Sequence, residues 1–171
     1  MTTLLTSPLN QAAPPEAALS LHELAAIARG LAETAHIWPD VTDPQERIWH
    51  TIARTDRFEA FVIAWPAGSS IELHDHGEAA GAIAVAAGEL IETAVHDVAG
   101  WPTFLPTHLT AGIQLSFREG HVHGLHNPGL VPALTVHVYS PVLRSMTFFD
   151  HDDEGARLAV RTELFDPEEV A

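Results

Sequence analysis

Hydrophobic residues recur at two different spacings along this chain. Near its start, Ser20 and Glu23 have the spacing of a capping box, and the apolar residues that follow recur every three to four positions. This pattern predicts a helix over residues 20 to 35. An aspartate before Pro44 is typical of a helix start and predicts a second, short helix that runs through about His50.

From residue 58 onward, apolar and polar residues alternate in short runs that glycines and prolines separate. A period of two is typical of β-strands with one buried face. The predicted strands are Phe58 to Trp65, Ser69 to His74, Ala79 to Ala87, Glu89 to His96, Gln114 to Phe117, Pro132 to Tyr139 and Met146 to Phe149. Two leading helices and many closely spaced strands favour a mainly β fold, a jelly-roll β-barrel with the N-terminal helices packed outside.

The length of 171 residues suits one sizeable core and is short for two domains. We therefore expect a flexible N-terminal segment over residues 1–18, where prolines and small residues are common, and a single domain over residues 19–171. The predicted parts of this domain are a helical lead-in at 19–50, a barrel at about 57–150 and a C-terminal extension at 151–171.

Composition narrows the kind of function. The chain has 23 acidic residues against eight arginines and no lysine, so its net charge is −15 and nucleic acid is not an expected partner. The absence of cysteine excludes disulfides, thiolate metal sites and a cysteine nucleophile. No run approaches eighteen uncharged apolar residues, and the first twenty residues lack the pattern of an export signal. We expect a cytoplasmic monomer that does not contact membranes.

The strongest local signal is a pair of histidines separated by one residue. Alternate residues of a strand point the same way, so His74 and His76 can place two imidazoles on one metal ion. A third ligand must come from elsewhere, and the segment from Gly120 to Asn127 offers His123. An isolated His-x-His pair is equally compatible with an ordinary polar patch, and the third histidine favours a metal site.

These spacings resemble the two motifs of the cupin superfamily. In the first motif five residues separate a glycine from His-x-His, and in the second motif two residues separate a glycine from His-x-x-x-Asn. The matching residues are Gly68, His74, His76, Gly120, His123 and Asn127. The glutamate that ordinary cupins carry four or five residues after the histidine pair is replaced here by Ala80 and Gly81. Three histidines without a carboxylate are the pattern of the cysteine dioxygenase family.

Further segments resemble that family in order and spacing, over roughly residues 45 to 150. They are Trp65 to Ser70, Gly88 to Thr93 and His137 to Pro141. The resemblance implies a mononuclear Fe(II) enzyme that oxidises a small thiol, such as cysteine or a mercapto-acid, to its sulfinate with O2. Gly81 stands where the animal enzymes carry a cysteine that is cross-linked to the active-site tyrosine, so no such cross-link can form here.

A polar row is predicted on the last long strand. Thr135, His137 and Tyr139 alternate with leucine and valine residues, so they share one face, which in a closed barrel is the interior. Buried groups of this kind need hydrogen-bond partners, and we interpret the row as a relay. The resemblance implies that Tyr139 donates a hydrogen bond to bound oxygen or substrate while the other two orient its hydroxyl. Strand residues facing solvent are the alternative.

The residue that anchors the substrate is the open question. Family members specific for cysteine place an arginine just before the barrel, and relatives that act on mercaptopropionate place a glutamine there. Alignment puts His50 at this position, and Arg47, Arg54 and Arg57 are the other candidates to bind a carboxylate.

Two further functions stay open. One is a cupin that binds a metal or a small ligand without turnover, and the other is a cupin dioxygenase or isomerase with a substrate that is not a thiol. Cupins of the second kind usually keep the glutamate ligand that this chain lacks. His121 and His126, which flank the predicted ligand His123, are expected at a pocket rim or in solvent.

Overall fold

Two antiparallel sheets and one α-helix make up most of the computed structural model, which describes residues 18–38, 41, 43–98, 101–151 and 157–165. The elements are α1 (Leu21–Ala32), a short 3-10 helix (Ala35–Ile37), β1 (Ile48–Arg54), β2 (Glu59–Trp65), β3 (Ser70–His74), β4 (Ala80–Ala87), β5 (Glu89–Val98), β6 (Trp101–Thr110), β7 (Gln114–Phe117), β8 (Val122–His126), β9 (Ala133–Ser140), β10 (Ser145–His151) and β11 (Arg157–Leu164). The predicted flexible segment 1–18 lies outside the described residues, except for residue 18.

The strand order is β1-β2-β9-β4-β7 in one sheet and β11-β10-β3-β8-β5-β6 in the other. The mainly β prediction is confirmed, but the expected closed barrel is wrong, because no described strand of one sheet pairs with a strand of the other. The two sheets pack through apolar side chains of both, such as Trp65 and Ile83 from one and Leu90 and Leu125 from the other. The interior is therefore the space between two sheets.

The first predicted helix is confirmed as α1. Its capping box is present: the Ser20 hydroxyl accepts from the Glu23 amide at 3.3 Å, and the Glu23 carboxylate accepts from the Ser20 amide at 2.8 Å. Leu24 and Ala28 are fully buried against the outer face of the five-stranded sheet. No helix among the described residues combines the length and the apolar character needed to cross a membrane.

The second predicted helix is wrong. Residues 43–47 form no helix, and β1 begins at Ile48 and pairs antiparallel with β2 from Ile48 opposite Ala64 to Arg54 opposite Glu59. Ile48 and Ile52 pack towards the cluster around α1, while Thr51 lines the space between the sheets. The ladder of hydrogen bonds with β2, and the packing of the two faces of β1 against different neighbours, outweigh the local helix-start signal of the Asp-Pro pair.

Four strands had no clear signal in the sequence. They are β1, β6, β8 and β11. Prolines interrupt the pattern of β6, which is an edge strand, and edge strands tolerate proline because one side of the backbone has no partner strand. The predicted C-terminal extension contains β11, which pairs with β10 along its length.

The central strand β9 is buried along its whole length. It pairs with β2 on one side and β4 on the other. Leu134, Val136 and Val138 belong to the apolar cluster beneath α1, so the alternate residues point to the space between the sheets. One strand therefore carries a hydrophobic face for the core and a polar face for the site.

The packing of α1 predicts the cost of removing its central leucine. We expect Leu24→Ala to lower the free energy of unfolding by about 2–5 kcal/mol, because this fully buried side chain leaves a cavity. Leu130, which is 96% exposed, is the matched control, and Leu130→Ala should change stability little. Urea unfolding of both variants measures the difference, and equal losses would contradict the packing.

Candidate metal centre

Three buried histidines meet in the space between the sheets. His74 is the last residue of β3, His76 follows in the next loop, and His123 lies on β8 directly opposite His74 in the strand pairing. One ring nitrogen from each histidine lies within 4.8 Å of the others. The structure thus brings together the three residues that the sequence predicts as ligands.

The environment of these imidazoles fits a transition metal. His76 Nδ1 and His123 Nε2 are buried and have no hydrogen-bond partner in the described part of the chain, which is costly unless another group binds them. Burial lowers the pKa of His74 from 6.5 to about 3, and it also lowers the pKa values of His76 and His123. The three rings are therefore neutral at physiological pH, which is the form that binds metals.

A hydrogen bond orients each of two ligand rings from behind. His74 Nδ1 donates to the Glu72 carbonyl oxygen at 2.8 Å, and His123 Nδ1 donates to the Glu92 carboxylate at 2.8 Å. Both bonds leave the Nε2 atom of the ring for the metal. The sequence offers a ligand set, and these bonds select which nitrogen of each ring is available.

Glu92 lies on β5 and is buried between two histidines. Its Oε1 also accepts from His121 Nε2 at 2.8 Å. Burial raises the pKa of Glu92, but the hydrogen bonds from His121 and His123 outweigh this effect and lower the pKa to about 2. Glu92 carries no local signal in the sequence, because its position depends on the pairing of β5 with β8. His126 is exposed, whereas the half-buried His121 supports Glu92.

The polar face of β9 forms a chain of hydrogen bonds that ends at a metal-ligand candidate. Trp65 Nε1 donates to Thr135 Oγ1 at 2.9 Å, and 3.1 Å separates that oxygen from His137 Nε2. His137 Nδ1 lies 3.1 Å from the Tyr139 hydroxyl, which lies 3.3 Å from His76 Nε2. Trp65 therefore lies at the end of this hydrogen-bond series that is furthest from His76. Its contact with Thr135 joins β2 to β9, and residue spacing in the sequence does not reveal it.

A cavity of about 190 Å³ opens beside the histidines and reaches towards the surface. His74, His137 and Tyr139 line its inner end. Its walls are mainly apolar and include Phe61, Ile63, Ile71, Leu125, Leu143 and Met146. The volume is that of roughly six water molecules, which suits a small ligand.

Arg47 is a half-buried cation on this cavity. Its guanidinium lies 5.4 Å from the centre of the Trp65 ring, and burial lowers its pKa. Among the described residues, no carboxylate lies within 4 Å of the guanidinium. An anionic group that entered the cavity could therefore pair with Arg47 without displacing an existing ion pair.

The other predicted anchors are placed differently. Arg54 lines the cavity, but its guanidinium binds the buried Glu59 carboxylate at 2.6 Å. His50 and Arg57 are not among the cavity residues. The His50 ring instead stacks on Trp38, on the opposite face of β1, with ring centres 6.3 Å apart. The structure brings two of the four candidates to the cavity.

Comparison with known proteins identifies the family. The family described as cysteine dioxygenase type I matches residues 15–152. The chain belongs to the cysteine dioxygenase type I family. The matched residues include the three histidines and the polar row.

Two solved structures show a similar fold at low sequence identity, and a third is similar to this chain with a lower TM-score. A Bacillus halodurans protein, BH2720, is 13% identical, with 75% of this chain and 85% of that chain covered and a TM-score of 0.53. The protein TT1209 from Thermus thermophilus is 19% identical, with 59% and 89% covered and a TM-score of 0.50. An uncharacterised Klebsiella pneumoniae protein with a double-stranded β-helix domain is 25% identical over 72% and 88%, with a TM-score of 0.48.

In this member of the cysteine dioxygenase family, the Phe117 ring fills the space beside Gly81 and Tyr139. A Cβ atom added to Gly81 would lie 2.5 Å from the Phe117 side chain and 3.1 Å from the Tyr139 ring. Phe117 also stacks on His76, with ring centres 5.2 Å apart. The close approach of Phe117 requires glycine at position 81.

Burial determines the protonation of the polar row. Burial lowers the pKa of His137 well below its ordinary value and, together with the nearby Glu59 charge, raises the pKa of Tyr139. The imidazole is therefore neutral and the phenol keeps its proton near neutral pH. Tyr139 can donate a hydrogen bond, and the row orients that donor without carrying a charge.

The hydrogen bond between Glu92 and His123 predicts that a change at Glu92 lowers the affinity for metal. We expect Glu92→Gln to weaken metal binding by roughly 10- to 100-fold, because the charged acceptor behind His123 is lost. Glu89→Gln is the matched control, since Glu89 lies on the same strand and binds His108 at the surface. Competition with a chelator measures both dissociation constants. Equal affinities in the two variants would contradict this support.

Proposed function

We propose that the chain is an Fe(II)-dependent thiol dioxygenase, which converts a small thiol R–SH and one O2 into the sulfinic acid R–SO2H. The observation that carries the proposal is the set of three buried, neutral histidines, with no carboxylate among them, whose ring nitrogens meet beside the Tyr139 hydroxyl and two of which have a buried nitrogen without a partner in the described part of the chain. Membership in the cysteine dioxygenase type I family supports the same reaction.

The charge of the ligand set favours a thiol. His74, His76 and His123 are neutral donors, so a divalent ion held by them keeps its charge of +2 and attracts an anionic thiolate. Bound Fe(II) would supply a Lewis acid for the sulfur and a source of electrons for O2. A carboxylate ligand would lower this charge and weaken the preference for an anion.

We assign the polar row a role at the reacting end of the cavity. Tyr139 keeps its proton and lines the cavity next to His76, so its hydroxyl can donate a hydrogen bond to substrate or oxygen. His137 and Thr135 hold that hydroxyl in place through two 3.1 Å hydrogen bonds. Mainly apolar walls limit the access of water to the reacting groups.

We assign Arg47 the role of binding a carboxylate of the substrate. It is a cavity cation with no ion-pair partner among the described residues, whereas Arg54 is paired with Glu59. The small cavity suits a short mercapto-acid or an amino thiol such as cysteine. A cytoplasmic location and a monomeric state stay predictions from the sequence.

Oxygen uptake by the Fe(II)-loaded protein tests the reaction. We expect uptake with at least one thiol among L-cysteine, 3-mercaptopropionate, cysteamine and mercaptosuccinate, with one sulfinate formed per O2. His123→Ala should abolish oxygen uptake because a metal ligand is lost. His126 is an exposed residue on the same strand, so His126→Ala should leave oxygen uptake unchanged. Tight iron binding without uptake from any thiol would favour a binding cupin or another substrate.

The position of Arg47 predicts that only thiols with a carboxylate depend on its positive charge for binding. We expect Arg47→Gln to raise the KM for 3-mercaptopropionate roughly tenfold to a hundredfold, because a charge-assisted contact to the carboxylate is lost. The KM for cysteamine, which has no carboxylate, should change little. Arg57→Gln removes a charge outside the cavity and serves as the control. A uniform effect on both thiols would exclude a carboxylate-binding role.

A further inference from the structure

The C-terminal strand reaches the cavity although it lies beyond the family match. The match ends at residue 152, and β11 begins at Arg157. Glu163 of this strand and Phe165, which follows it, both line the cavity beside the metal centre. These two side chains therefore belong to the cavity wall and not to the part of the chain that defines the family.

Contacts on two strands hold β11 against the cavity. Its backbone pairs with β10 along its whole length, and the Phe165 amide donates to the Arg144 carbonyl oxygen at 2.9 Å. The Arg161 guanidinium lies 3.6 Å from the centre of the Phe148 ring and contacts Glu72 of β3 at 3.4 Å. These contacts give β11 a defined position over the cavity.

The same residues connect the strand to a metal ligand. Phe148 is 3% exposed, and its ring centre lies 5.6 Å from that of His74. Arg161 therefore covers the outer face of a ring whose inner face packs on the metal centre. Glu163 and Phe165 line the cavity, although the Arg161 and Glu163 side chains are 44% and 49% exposed. Val160 and Leu164, on the other face of the strand, are 57% and 81% exposed.

We propose that β11 and the residue after it form the outer wall of the substrate cavity, and that Phe165 and Glu163 determine which thiols bind. The inference rests on the proposed function and adds the residues that select the substrate. Phe165 limits the length and width of the thiol through its apolar ring. Glu163 adds a negative charge to a cavity that also contains the Arg47 cation.

The two charges imply a preference among small thiols. Glu163 is a carboxylate that shares a hydrogen bond with Arg161 Nε at 3.2 Å, so part of its charge is balanced outside the cavity. The remaining negative charge opposes a thiol that carries only a carboxylate and favours one that carries an ammonium group. Glu163 thus selects against purely anionic thiols, while Arg47 selects for a carboxylate.

Calorimetry without oxygen tests the charge. With Fe(II)-loaded protein, we expect Glu163→Gln to bind 3-mercaptopropionate about threefold more tightly and cysteamine about threefold more weakly than the unchanged protein. Glu119→Gln makes the same charge change away from this cavity and should alter neither affinity. Shifts in the same direction for both thiols, or no shift, would overturn the assignment of Glu163.

A bulky thiol tests the wall. We expect Phe165→Ala to improve the affinity for 2-mercapto-3-phenylpropionate relative to 3-mercaptopropionate by roughly tenfold, because the cavity gains room. Leu164→Ala, an adjacent change on the exposed face, should leave this ratio unchanged. Phe165→Leu, which disturbs packing less, should give an intermediate ratio. Equal affinity ratios in all three variants would contradict the assignment of Phe165 to the cavity wall.

A measurement that needs no thiol separates this inference from the proposed function. If Phe165 closes the cavity, a bulky chelator should remove the metal several times faster from Phe165→Ala than from Leu164→Ala. Equal rates would overturn the wall whatever reaction the protein catalyses. Faster removal of the metal from Phe165→Ala would support the cavity wall. If the unchanged protein then oxidised no thiol, that result would contradict only the proposed dioxygenase function.

Discussion

The metal centre depends on the placement of two imidazoles on neighbouring antiparallel strands. His74 and His123 lie opposite each other on β3 and β8, and hydrogen bonds to the Glu72 carbonyl oxygen and the Glu92 carboxylate fix their Nδ1 atoms. Neutral rings with buried, unpartnered nitrogens are unfavourable in an empty apolar interior. A bound metal ion would compensate this cost, which would link the position of the strands, the protonation of the rings and the affinity for metal.

The strand β9 joins this centre to the hydrophobic core. Its valines pack beneath α1, and Thr135, His137 and Tyr139 face the cavity from the same backbone. Because the strand is buried on both faces and paired on both sides, its polar groups have little freedom to move. The core therefore provides the rigidity that a positioned hydroxyl needs.

The cavity wall comes from distant parts of the chain. Arg47 precedes β1, the inner end carries His74 and Tyr139, and Phe165 follows the last described strand. The family match includes the metal ligands and the polar row but ends before β11. Under the proposed function, metal binding and substrate selection can therefore change separately, since His74 and His123 lie on central strands of the six-stranded sheet, whereas Glu163 lies on its edge strand and Phe165 directly follows that strand.

The amino-acid sequence alone predicted the helix α1, the mainly β class and the three histidines, because capping, alternation and motif spacing are local properties. It did not reveal β1, where strand pairing outweighed the helix-start signal of Pro44, or the separation into two sheets. Only the tertiary structure placed Glu92 behind His123, left Arg47 without an ion-pair partner among the described residues and brought Phe165 to the cavity. These features depend on contacts between residues far apart in the chain, and no local pattern encodes such contacts.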